Sequence, residues 1–470
     1  MRRLQRCLKW AAIVVTTGLL SLLVLNAVLA WNAARRMDQR LAALRAAGKP
    51  VTLADLQPQP VPENRDAAAL VCTIRPRLQA WEDEFDHAFP DRNDRPEPES
   101  ARGDRLTEKQ VQTLQPLWDR YADLLPTLQQ AASCPEYRSQ VDFNTSAFRF
   151  LMNNDEQRAL PFSACKYLAL RIDLLMHQGR RDESLRTCVI MFRLAMLIER
   201  EPTIASYHAS LVWRRRAAFQ ANRILQAGSV SSELRQELDS ELARHDTLEG
   251  FIGALRSERA LGLDMYQAMC TGEVDDKVGG ADRSMLQSVA RWILPLIRWR
   301  HRNAACDYLD MMEHVLAFGA VPCYEVRSQA RPSRNWYKES DDLTSQTVFE
   351  VYVARKLLDV TRAEMRCLRV LNALQRRPAE AGAETASLAE LDLPADATVD
   401  PFSGNPLLVK KTNHGWTIYS VGPDLEDDGG EIVSSAVPRD CGFGPPGDES
   451  RSGESPPSSA TLSSPVGSRH

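Results

Sequence analysis

The chain reads as mainly α: one N-terminal transmembrane helix, an all-α bundle of helical hairpins with an irregular, solenoid-like character, a small C-terminal β-hairpin and a disordered tail. Three observations predict this. Residues 11–30, "AAIVVTTGLLSLLVLNAVLA", carry no charge. Residues 160–270 repeat apolar side chains at helical spacing. Only residues 400–431 alternate like strands. At 470 residues with 44% apolar side chains, the chain has enough material for a sizeable core. Its 58 basic and 62 acidic side chains nearly cancel to a net charge of −4, which argues against a nucleic-acid partner, since that needs a basic face.

Residues 1–10 form a basic tail, with Arg2, Arg3, Arg6 and Lys9. Residues 11–31 follow as the transmembrane helix, because twenty residues at 1.5 Å each match a bilayer core of about 30 Å. Trp10 and Trp31 flank the run where indoles favour the interface. A cleaved signal peptide has a shorter apolar region, although Val28-Leu29-Ala30 would serve as a cleavage site. The lipid bilayer is therefore the first expected partner. The short basic tail before a long domain fits an extracytoplasmic body.

Residues 32–62 read as a juxtamembrane segment and Pro-rich stalk, and 63–375 as the helical domain. Within that domain, mobile loops are expected at about 82–105, 271–284 and 326–344. The "TEKQ" of 107–110 is a capping box opening a helix that Pro116 should kink or split. Gly179, Pro202 and Gly228 punctuate the helices of 160–270, and Ser231 or Ser232 caps the next. "QGRRDESL" resembles the turn of a TPR-like helical repeat, but no 34-residue period runs through the chain. "MLQSVARWILPLIRW" (285–299) is too short to span; it fits a membrane surface or the core, the core being preferred. A long helix over 345–374 should bury Phe349, Val353, Leu357, Val360, Leu368 and Leu371 on one face. Residues 376–399 read as a linker, 400–437 as the hairpin module and 438–470 as the tail.

Nine cysteines follow the anchor, none as C-x-x-C, and an odd number cannot all pair; the spacing of Cys306 and Cys323 would permit a bridge. Several motifs offer chemistry and fall short of it. Ser163 and Lys166 match S-x-x-K without the S-D-N or K-T-G that such a nucleophile needs. "GFGPPG" (442–447) matches G-x-G-x-x-G but neither follows a strand nor opens a helix. Asp307, Asp310, Glu313 and His314 share a helix face at a spacing that suits a metal, yet such faces are usually solvated. Glu258, between Arg256 and Arg259, reads as an ion pair, and Trp213-Arg214-Arg215-Arg216 as solvated or core-paired arginines rather than a phosphate site.

In "DPFSGNPLLVKKTNHGWTIYSVGPDLEDDGGE" (400–431), strands at Leu407–Val409 and Trp416–Val421 flank an "NHG" turn. Asp424, Glu426, Asp427 and Asp428 supply the hard oxygens calcium prefers, although a solvated acidic turn is the plainer reading. Asp400, Pro401, Gly404, Pro406, Tyr419, Ser420, Gly422 and Asp424 resemble the C-terminal portion of type II secretion major pseudopilins, where such segments lead to an acidic calcium loop. The module is also similar to uncharacterised membrane-anchored bacterial proteins with helical bodies. Leu425 departs from the pseudopilin glycine, and the anchor lacks the G-F-[ST]-L-x-E signature of a prepilin leader. The resemblance implies a link to secretion or pilus-like machinery. The expected role is a membrane-anchored binding or scaffolding protein with a protein partner; the alternative is an envelope hydrolase with a site assembled from distant helices.

Overall fold

The computed structural model describes residues 2–445 except 92–93, 97–105, 139–140, 146, 154, 272–283, 327–341, 377–387 and 433–438. The chain is 72% helical, with one small antiparallel sheet. The expected loops at 271–284 and 326–344 fall almost wholly outside the described residues, as do 446–470 of the expected tail.

α1 (Arg2–Ala46) contains the apolar run and is long and apolar enough to cross a membrane. Its side chains from Lys9 to Leu25 are exposed. Beyond Trp31 the same helix continues as part of the body. Ala33, Met37, Leu41 and Leu44 recur every three or four residues and are buried. The last three join a core cluster with Ala305, Leu309 and Met312 of α12 (Ser284–Gly319). The expected stalk is thus corrected: Val51 and Leu53 are buried, and the Asp55 carboxylate accepts from the backbone N–H groups of Val51 and Thr52 at 2.9 and 3.0 Å.

α2 (Ala67–Thr73), α3 (Arg75–Ala88), α4 (Glu108–Arg120) and α5 (Leu124–Ser133) form the first layer. α3 enters the segment expected to be a mobile loop. Phe85 and Phe89 lie in that segment and are buried, as is Trp81 just before it, and the Trp81 and Phe85 rings stack at 5.6 Å. The Thr107 capping box is present: its hydroxyl accepts from Gln110 N at 3.2 Å and Gln110 Oε1 accepts from Thr107 N at 2.9 Å. Thr107→Ala should cost about 1 kcal/mol, read as a shift in the denaturation midpoint. α4 runs through Pro116 without a break.

α6 (Ala147–Asn153) precedes the central hairpins: α7 (Asp155–His177), α8 (Arg181–Ile198), α9 (Ile204–Ala227), α10 (Ser232–His245) and α11 (Glu249–Thr271). Gly179, at φ +72°, makes the α7–α8 turn, and Gly228, at φ +147°, stops α9. α8 is buried from Cys188 to Phe192 and at four of the six positions that follow, as its composition requires. α12 runs through residues 285–299 and on to Gly319 as one helix. After the short α13 (Cys323–Val326) comes α14 (Asp342–Leu374), in which every residue from Leu357 to Leu374 is buried. At its other end Phe349 is 60% exposed, a correction to the expected stripe: Val351, Ala354 and Leu358 face the core instead.

The sheet has the order β1–β2–β3, with β1 (Leu408–Thr412), β2 (Gly415–Ser420) and β3 (Cys441–Phe443). Thr412 pairs with Gly415 across a two-residue Asn413-His414 loop. β3 corrects the expected boundary of the tail. It pairs Ile418 with Phe443, and all three of its residues are buried. Part of the expected linker also packs, with Leu391 and Ala397 buried. Among the described residues no disulfide forms, so Cys306 and Cys323 are not bridged.

Candidate functional site

The densest polar chemistry lies inside the body. α9 carries Arg214, Arg215 and Arg216 into the core, each less than one tenth exposed. Arg214 pairs with Glu199. Arg215 holds Glu364 of α14 through Nε at 2.8 Å and Nη2 at 2.7 Å. Arg216 and Arg223 donate to the two oxygens of Asp173 at 2.8 Å each. On α14, Arg362 and Arg366 grip Asp246 at 2.7 and 2.6 Å, and Arg369 reaches Asp239 at 3.1 Å. Each charge is met by an opposite charge, so these groups tie helices together rather than waiting for a phosphate.

The motifs singled out in the sequence are used in similar ways. Ser163 donates to Glu82 at 2.8 Å, while the Lys166 ammonium sits 3.5 Å from the same carboxylate and 4.9 Å from the Phe85 ring centre. That geometry orients neither group as nucleophile and base. Asp307, Asp310 and Glu313 receive Arg36 and Arg40 of α1, and His314 lies edge-on to Phe318. "GFGPPG" contributes strand β3.

The calcium expectation meets a different use of the same oxygens. Asp424 accepts from Glu426 N at 3.3 Å. Asp427 accepts from Tyr419 Oη at 3.0 Å and Gly429 N at 2.9 Å. Asp428 faces Arg439 at 3.9 Å, and Lys410 donates to Gly429 O at 3.0 Å. Among the described residues, no group of three His, Cys, Asp or Glu side chains is placed to hold a metal ion. Lys410, Arg439 and N–H donors thus stand around the turn, and the oxygens of Asp424, Glu426, Asp427 and Asp428 are not gathered at one point. Leu425 does adopt the left-handed conformation expected of a glycine there, at φ +69°.

What joins the "DPFSG" and "YSVG" segments is Asp400, which is 1% exposed. Its carboxylate accepts from Phe402 N at 2.8 Å, Ser403 Oγ at 2.8 Å, Ser420 Oγ at 2.6 Å and Val421 N at 3.2 Å. The "DPFSG" and "YSVG" stretches belong together because one buried carboxylate stitches them.

Two features went unread in the sequence. Glu258 is not the ion pair expected of it: its carboxylate accepts from Ile204 N at 3.2 Å, and Arg259 donates to Pro50 O at 3.4 Å. Burial pushes the Glu258 carboxyl up to about 7, with nearby Glu350 adding to the effect, and burial also pushes Glu350 up. A carboxyl whose folded value is raised contributes its full stability below 4.5 and loses it as pH rises through about 7. Burial holds buried His245 below its ordinary value, which acts in the opposite sense. Glu258→Gln should therefore gain stability relative to the parent between about pH 5 and 8, read from paired melts; parallel curves would refute it. The second feature is an exposed aromatic pair on α14, Phe349 and Tyr352, the latter 50% exposed with the Lys356 ammonium 4.5 Å above its ring. Its only sequence signal was an apolar stripe that the helix turns outward.

Fold and site together define an all-α protein with one helix able to cross a bilayer, closed by a small sheet. Compared with protein-family models, with curated proteins and with solved structures, the chain matches none.

Proposed function

We propose that this chain is a bilayer-anchored scaffold that holds a protein partner at an envelope membrane, with its body on the extracytoplasmic side. The observation that carries this reading is the continuity of α1. One unbroken helix leaves the apolar run and docks through Met37, Leu41 and Leu44. Arg36 and Arg40 add ion pairs to α12. A body joined this way is held close to the bilayer without a flexible tether, which suits a scaffold. The exposed Phe349–Tyr352 pair supplies apolar surface for a partner. The likeness of residues 400–431 to pseudopilin C-termini supports seeking that partner in secretion or pilus-like machinery.

The test uses the full chain in its native membrane, with a photoreactive phenylalanine analogue at position 349. The expected result is one defined protein adduct, in material that resists alkaline extraction and whose body is open to protease added from outside. Release by alkali, or adducts to lipid alone, would overturn the reading. The hydrolase reading has the raised Glu258 carboxyl in its favour, and it requires Glu258→Gln to abolish a hydrolytic activity of the membrane fraction.

A further inference from the structure

His245 closes α10, and the chain turns at Asp246 towards α11. Both side chains of this corner point inward. Arg362 and Arg366 of α14 hold the Asp246 carboxylate at 2.7 and 2.6 Å. The His245 ring lies against Phe192 of α8, centroids 5.1 Å apart, and the residue is 1% exposed. Its Nε2 stands 3.4 Å from Oε1 of Glu241, one turn back on the same helix and equally buried.

The charged groups around this imidazole are already matched. From α8, Arg193 donates to Glu241 Oε2 and to Glu237, each at 2.9 Å. Arg244, on α10 itself, reaches the same Glu241 oxygen at 3.3 Å. From α9, Arg214 pairs with Glu199, the residue that ends α8. With Arg362 and Arg366, five guanidiniums face the four carboxylates of Glu199, Glu237, Glu241 and Asp246. An imidazolium would add a further cation to a site that has no free carboxylate for it.

Hydrogen bonding points the same way. Neither nitrogen of His245 has a hydrogen-bond partner among the described residues, and Glu241 Oε1 is likewise buried and unbonded. A neutral ring carries one N–H, which that oxygen can accept after a small rotation. A charged ring carries two, and Nδ1 meets no acceptor inside the fold. An unmet donor on a buried ion is costly. Burial, with Arg214 adding to it, accordingly holds the imidazole below its ordinary 6.5 against the pull of Glu241 and Glu199.

We infer that His245 is an acid-sensing latch: on taking up a proton it swings out from beside Phe192 and frees the last turn of α10 from α8. Asp246, pinned by two guanidiniums, marks where the opening stops. The sign follows from linkage. In the open turn the ring meets water and binds a proton at its ordinary value, whereas the closed turn binds one only at lower pH. Closure is therefore fully favoured above 6.5 and weakens as pH falls from there, by about tenfold per pH unit at most for one proton.

Global stability mixes this effect with Glu258, whose raised carboxyl acts in the opposite sense, so the test reads the turn locally. Amide exchange of the full chain in detergent is followed from about pH 6.5 to about 5.5 and corrected for the intrinsic pH dependence of exchange. The expected result is a several-fold rise in the opening constant at residues 242–245, none at 251–255 of α11, and no rise at either segment in His245→Gln. An equal rise at both segments, or a rise that survives His245→Gln, overturns the inference. A second measurement needs no variant: in the parent labelled with ¹³C-histidine, one of the eight rings should titrate below 6.5 in step with the exchange. If every ring titrates at 6.5 or above, the inference falls.

Discussion

Replacing Asp246 by alanine should destabilise the body by about 3–5 kcal/mol. The carboxylate is nearly fully buried and receives two guanidiniums, Arg362 Nε at 2.7 Å and Arg366 Nε at 2.6 Å, both less than one tenth exposed. Removing it leaves two positive charges four residues apart in the centre of the fold. Arg366 keeps one acceptor, Val399 O at 2.6 Å, which cannot neutralise it. Denaturant unfolding of the full chain in detergent measures the loss. The matched control is Asp123→Ala, which breaks an exposed pair with Arg77 at 3.1 Å and should cost less than about 1 kcal/mol. Equal costs would show that the buried arginines are solvated in the folded protein. A second comparison separates pairing from burial. Changing Arg215 and Glu364 together to methionine and leucine should cost less than Glu364→Ala alone, because an isolated buried charge is worse than none.

The same arginines mark where sequence reading ends. Helix stops and starts were local and legible: Thr107 with Gln110, Gly179, Gly228. The apolar run of α8 announced a central helix because nothing polar interrupts it except Arg193, which reaches Glu241 and Glu237. By contrast, the partner of Arg215 lies 149 residues away, and no spacing rule connects them. Charge also hid the end of α3, where acidic residues outnumber the Phe85 and Phe89 that decide its burial. The acidic turn fails in another way. A row of aspartates reads the same whether its oxygens converge on an ion or separately cap N–H groups, and only the backbone path tells which. The pseudopilin-like pattern was visible as two segments, but their common cause, the Asp400 carboxylate, is a contact across 20 residues. Phe349 shows the limit of periodicity. It fits the apolar stripe of α14, yet it lies about two turns before the helix is fully enclosed, where that stripe faces outward.

Gly442→Ala should remove strand β3, whereas Gly444→Ala, two residues on, should be nearly silent. A Cβ built at Gly442 would lie 2.1 Å from Ile418 O and 2.7 Å from Tyr419 Cα. Both are backbone atoms of the central strand, so no rotamer change relieves the clash and the strands must part. Phe443, packed edge-on to Phe219 of α9 at 5.2 Å, goes with them, as does Cys441 against Val360 and Ala363 of α14. Overpacking against rigid backbone costs about 3 kcal/mol, and the loss should appear as faster amide exchange at Ile418 and Ser420. At Gly444 the nearest atom to a new Cβ is Thr417 Oγ1 at 3.4 Å, an ordinary contact, so the change should stay within about 0.5 kcal/mol. The contrast bears on function as well as fold. Glycines that admit a phosphate are constrained by an approaching ligand, whereas Gly442 is constrained by its own neighbouring strand. Equal tolerance at both positions would mean that β3 is not held on β2 as described, and would return residues 438–445 to the tail.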